Sequence, residues 1–134
     1  MPIDAATRRR VCTRARYRCE YCHLHQDFSE LTHHFEHIRP VKHGGTDQPD
    51  NLALACHRCN SHKGSNLSGI DPKTGKLTPL FHPRKQRWPA HFRFDGPLLI
   101  GLSPTGRTTI QTLAMNDPRR LALRAELLSI GELT

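Results

Sequence analysis

With 134 residues, 36% of them hydrophobic, the chain can build one modest core, which buries a smaller share of its surface than a larger core would. Five cysteines, an odd number, together with no apolar run near about 18 residues and no apolar leader, argue against a membrane-spanning or disulfide-built protein and for a reducing, cytoplasmic setting. The net charge of +8 comes from 20 Lys and Arg, 10 in residues 1–67 and 10 in 68–134, so no basic tail carries it. A polyanion is the natural partner of such a surface, because each base set on a phosphate releases condensed counterions; a basic protein without that role is the alternative.

Asp4 is an N-cap for a helix through AATRRRVCTRARYR, with Val11 and Ala15 on its buried side. Six arginines between Arg8 and Arg18 read either as a solvated face or as one that follows phosphates. Cys19-Glu-Tyr-Cys22 forms a knuckle. Residues 31–38 fit a strand that Pro40 ends by withholding a backbone donor. Gly44-Gly45, Asp47 and Pro49 supply turn chemistry to a loop over 41–50, and 51–55 is a second short strand. Cys56-His-Arg-Cys59 is a second knuckle running into a short helix that Gly64 stops.

Farther on, Asp71–Gly75 reads as a hairpin turn, while residues 80–94 mix bases with rings and match neither helix nor strand periodicity. Ser103-Pro104 and Asp117-Pro118 open two helices, the first carrying Ile110, Leu113 and Ala114, the second Leu121, Leu127, Leu128 and Ile130 toward a core. No repeat or linker divides the chain. The expected class is therefore α+β, a single domain over 1–134.

Two Cys-x-x-Cys pairs suit tetrahedral zinc, since a two-residue spacer lets one turn present two sulfurs to one ion. Cys19, Cys22, Cys56 and Cys59 are assigned to a structural Zn2+ rather than to a redox dithiol or free buried thiols, and Cys12 is left over. His23, His25 and His57 flank the knuckles; with four thiols present they are read as surface residues. The zinc would pin everything between the knuckles into one hairpin.

Inside that pin, THHFEHIRPVKHGG concentrates imidazoles beside one carboxylate. Phosphodiester hydrolysis needs a base for water, a cation to neutralise the phosphoryl charge, and ligands that leave the cation open to substrate. His37 supplies the imidazole that such base work calls for. Glu36 supplies oxygen to a hard ion such as Mg2+ or Mn2+, and Asn60 is placed to add an amide oxygen.

Glu36-His37-Ile-x-Pro40, Gly44-Gly45, Asn51-Leu-x-Leu-x-Cys56 and Cys59-Asn60-x-x-Lys63-Gly64, preceded by Cys19-Glu-Tyr-Cys22, resemble the HNH endonuclease family over about residues 8–65. The tail from Leu80 resembles stand-alone bacterial members of that family. The resemblance implies a ββα-metal (His-Me finger) core, with 66–134 as an extension packing on it and contacting DNA. It further implies His37 as general base, Glu36 and Asn60 on the catalytic cation, and Asn51 fixing the loop so that the base faces the phosphate. Two positions depart from the family pattern: glutamate stands where aspartate is common, and Asn60 replaces the final histidine, an HNN variant in which His62 is an alternative ligand.

His34, two residues before Glu36 on the same strand face, is read either as lining the cleft or as structural. His33 would point away and, with His43, belong to loop or surface. Lys63, Arg84, Arg87 and Trp88 are candidate nucleic-acid contacts, and Phe81, Phe92 and Phe94 are core candidates. The functional expectation is a metal-dependent endonuclease acting on DNA, with no membrane partner; the rival is a zinc-stabilised nucleic-acid-binding module that does not cut. Monomer and homodimer are equally compatible with the sequence.

Overall fold

A computed structural model describes residues 3–132. The fold is mixed α+β, built from short antiparallel hairpins and helices. The chain packs as two compact units: one runs up to Asn66 and includes His82–Gln86, the other comprises Leu67–Phe81 and the chain from Arg87 onward.

In the first unit the Asp4 carboxylate accepts the Thr7 N–H at 2.7 Å and starts α1 (Ala5–Arg14). The helix stops earlier than the apolar pattern suggests, because Arg16 and Tyr17 take left-handed φ values of 55° and 58° and the Tyr17 N–H closes onto the Cys12 carbonyl. Val11 is fully buried against Leu52 and Leu54, with Cys12, Ala15 and Phe35 around them. Arg14 turns inward, donating to the Pro49 and Leu52 carbonyls at 2.9 and 2.6 Å, whereas Arg8, Arg9, Arg10 and Arg16 stay exposed.

β1 (His34–His37) pairs antiparallel with β2 (Leu52–Ala55), with Glu36 opposite Ala53 and His37 opposite Leu52. Every residue of β2 is buried, so this strand is the floor on which α1 rests. α2 (His57–Lys63) follows directly and packs on β1, ending at Gly64 with φ 51°. The predicted order of strand, loop, strand and helix is the order observed, with β1 shorter than the span 31–38.

The loop between the strands is tightly folded. Gly44 adopts φ 85° after a single 3-10 turn, and a Cβ on Gly45 would lie 1.6 Å from the Arg39 carbonyl oxygen, a clash no side chain escapes. Asn51 staples the loop: its Oδ1 accepts the Arg39 N–H at 2.8 Å, and its Nδ2 donates to the Arg39 carbonyl at 3.0 Å and the Thr46 carbonyl at 2.8 Å.

In the second unit β3 (Ser68–Ile70) and β4 (Leu77–Pro79) form the hairpin anticipated from Asp71–Gly75. A second hairpin, β5 (Phe92–Asp95) with β6 (Leu98–Gly101), and a short α3 (Trp88–His91) arise from the segment whose periodicity was uninformative. Helices α4 (Pro104–Thr112) and α5 (Pro118–Ser129) are capped by Ser103 and Asp117, as their sequences imply. The buried face of α5 differs from the expected leucine stripe: Arg120, Arg124 and Leu127 face inward, while Leu128 and Ile130 are exposed. Arg120 donates to the Leu113 carbonyl at 2.7 Å and Arg124 to those of Met115 and Pro97, both at 2.6 Å. Guanidinium groups here satisfy the carbonyls left open at the end of α4 and beyond it.

Candidate active site and zinc centre

The sulfurs of Cys19, Cys22, Cys56 and Cys59 lie within 4.8 Å of one another and are all buried. Cys22 and Cys56 stand 3.7 Å apart, close to the ~3.8 Å edge of a tetrahedron with Zn–S bonds of about 2.3 Å. Each knuckle is shaped by a backbone donor to its first sulfur, Cys22 N–H to Cys19 Sγ and Cys59 N–H to Cys56 Sγ, both at 3.4 Å. Burial pushes the Cys19 and Cys59 thiols well up, a cost that a bound dication would cancel by taking thiolates. The four-sulfur donor set fits zinc.

The first knuckle also reaches the strand. Tyr21, fully buried between Cys19 and Cys22 in sequence, donates its hydroxyl to Glu36 Oε2 at 2.8 Å. The other carboxylate oxygen of Glu36 lies 2.5 Å from Lys63 Nζ, and both side chains are nearly inaccessible, at 4% and 2% exposure. The same ammonium donates to the Ile38 carbonyl at 3.0 Å. Burial raises the Glu36 carboxyl above its ordinary value, opposed by the Lys63 charge and the two hydrogen bonds, and burial beside Glu36 raises the Tyr21 phenol. Lys63 thus ties α2 to β1, and Glu36 sits inside a closed Tyr–Glu–Lys chain.

His37, at the end of β1, faces outward with 27% of its side chain exposed. Its Nε2 lies 2.7 Å from Asp47 Oδ1 across the loop. Asn51 underlies this contact through its bonds to Arg39 and Thr46. Asn60 is half-buried in the second turn of α2, the helix packed on β1. His34 Nε2 is 3.2 Å from His57 Nδ1, the two rings tilted at 34°. His62 is exposed and His43 lies on the outer loop.

Three of these residues have partners inside the unit. Lys63, read as a phosphate contact, spends its charge inside the unit on Glu36. Arg84, read likewise, is ion-paired with Glu20 and half-buried, and desolvation lowers its guanidinium to about 10. His33, read as a loop or surface residue, lies in the loop before β1 but is 3% exposed and bonds the Leu24 carbonyl through Nε2 at 2.8 Å. Arg87 remains exposed, and Trp88 packs at 5.1 and 5.5 Å on the rings of Phe92 and Phe94. Phe81 and Phe92 are buried, as anticipated.

Sequence reasoning missed Asp47, taken only as a turn former, Tyr21, and the pairing of His57 with His34. An acid two residues beyond a Gly-Gly turn, ten positions after the base, was the available signal for the first. A lone phenol between two metal-spaced cysteines was the signal for the second.

Residues 19–66 match the family model of the HNH endonucleases, and the four-cysteine cluster fits a zinc-binding member of that family. No curated protein and no solved structure matches the chain. Among the described residues no helix is long and apolar enough to cross a membrane.

Proposed function

We propose that this chain is a metal-dependent endonuclease that hydrolyses phosphodiester bonds of DNA. The observation that carries the reading is that the HNH match spans Glu36, His37, Asn51 and Asn60, with His37 outward-facing beside a loop that Asn51 holds in place. In this reading His37 removes the proton from the attacking water, and Asn51 keeps the segment after the base from swinging away. Glu36 and Asn60 offer oxygen donors for Mg2+ or Mn2+, which when bound would neutralise charge on the phosphoryl group. Oxygen donors suit a hard cation, but Lys63 and Tyr21 already hold the Glu36 carboxylate, so an ion there competes with the Lys63 ammonium. On the substrate side, Arg87 and Trp88 remain candidates for the sugar-phosphate backbone, and Arg8, Arg9 and Arg10 form a further exposed basic stretch. The reducing, cytoplasmic setting belongs to the same reading, on the odd cysteine count.

A non-catalytic, zinc-pinned nucleic-acid binder is the second reading, and the closed state of Glu36 favours it. Supercoiled plasmid with Mg2+ or Mn2+ separates the two. The endonuclease relaxes or linearises the plasmid, and His37→Ala lowers the rate by ~10²–10⁴-fold while leaving the gel shift intact. Intact plasmid with wild type and variant alike, both still shifting it, establishes the binder.

A further inference from the structure

We propose that Asp47 is the positioning residue of His37, holding its ring in the tautomer that leaves Nδ1 free to take a proton from water. The proposal deepens the endonuclease reading and rests on it for its catalytic meaning.

An ionised carboxylate only accepts hydrogen bonds, so at 2.7 Å from Asp47 Oδ1 the Nε2 atom of a neutral His37 must carry the hydrogen. The lone pair is then on Nδ1. Because which nitrogen holds the proton decides which one acts as base, a fixed acceptor on one side of the ring selects the other side for chemistry.

Asp47 lies on a loop, yet not on a free tether. The Thr46 carbonyl beside it accepts from Asn51 Nδ2 at 2.8 Å, and the Thr46 hydroxyl accepts the Gln48 N–H at 3.3 Å. The same Asn51 amide bonds both backbone groups of Arg39, two residues after His37. One side chain therefore fixes the segment bearing the base and the segment bearing its carboxylate. A surface ion pair of convenience would not need that bracing. With 27% and 44% of the two side chains exposed, the dyad is also open to water and substrate.

The zinc-loaded 134-residue chain tests the idea with Asp47→Ala and Asp47→Glu beside His37→Ala. Long-range nitrogen–proton NMR correlations of the neutral His37 ring should show hydrogen on Nε2 in wild type, a tautomer mixture in Asp47→Ala, and recovery of the Nε2–H form in Asp47→Glu. Single-turnover plasmid cleavage with Mg2+ or Mn2+ should fall about 10–100-fold in Asp47→Ala, with DNA affinity by fluorescence anisotropy changed by less than about 2-fold, and be partly restored in Asp47→Glu. Wild-type cleavage by Asp47→Ala, an unchanged tautomer in that variant, or an Nδ1–H ring in wild type overturns the proposal. His37→Ala cleaving like wild type instead defeats the general-base reading beneath it, and strips the dyad of catalytic meaning even where the spectra show the contact.

Discussion

Both compact units bury cations, and they do so differently. In the first, Lys63 is buried against a carboxylate, Glu36, itself held by a phenol from a metal knuckle. In the second, Arg120 and Arg124 are buried with their donors directed at backbone carbonyls. A guanidinium among carbonyls finishes a helix end. A lysine against a carboxylate holds a charge that another cation can compete for, which a guanidinium directed at neutral carbonyls does not.

The largest effect that would sharpen this contrast is depriving the four-cysteine cluster of the zinc it fits. Structural zinc contributes apparent binding energies of about 10–16 kcal/mol to small domains. Chelation, or Cys56→Ser, should abolish amide protection at Leu52–Ala55, with the loss concentrated in the first unit by hydrogen-exchange mass spectrometry. Protection indifferent to chelator would break the comparison at its root.

Next comes the buried pair. Lys63→Met leaves the Glu36 charge without its partner and should destabilise by ~3–5 kcal/mol in urea melts, whereas Glu36→Leu with Lys63→Met should recover most of that loss. Arg124→Met, which removes the bonds to the Met115 and Pro97 carbonyls and to Asn116 Oδ1, should cost less, about 1–3 kcal/mol. Equal costs for the two lysine- and arginine-centred variants would erase the distinction.

Acid offers a third handle. Asp71 is fully buried and forked by Arg107 at 3.0 and 2.8 Å, which holds its carboxyl well below the usual carboxylate range. A group depressed in this way adds stability above the unfolded value and loses it as pH falls. The melting temperature should therefore decline below about pH 4, and Asp71→Asn should lower it at neutral pH while flattening that decline. Scanning calorimetry between neutral and acid pH checks both halves.

The smallest expected effect concerns the two arginines first grouped together. Arg87→Ala should weaken DNA binding a few-fold and reduce the salt slope by about 1. Arg84→Ala, which removes the cation paired with Glu20 and leaves that carboxylate only the Leu54 N–H, should change thermal stability and leave the slope alone.

How much of this was legible beforehand follows from the length scale of each cause. Caps act within one turn, so Asp4, Ser103 and Asp117 were readable where they stand. The Cys-x-x-Cys spacing is likewise local, and the sulfurs converge. The loop motif placed His37 and Asn51, but the Asp47 contact depends on how the loop folds back, which spacing alone does not encode. α5 misled for another reason: hydrophobic periodicity assumes that buried means apolar, and here the inward positions serve open carbonyls through Arg120 and Arg124. Lys63 shows the converse, a charge at a helix end held inside the unit by Glu36. The β5–β6 hairpin stayed hidden because Phe92, Phe94, Leu98 and Ile100 lie among bases and a proline that blur alternation.

Gly45 sets a practical bound on redesign. Since not even a methyl group fits between it and the Arg39 carbonyl, the stretch from Arg39 to Asn51 behaves as a cast part with fixed dimensions. Lengthening or decorating it at that point would misalign both ends together.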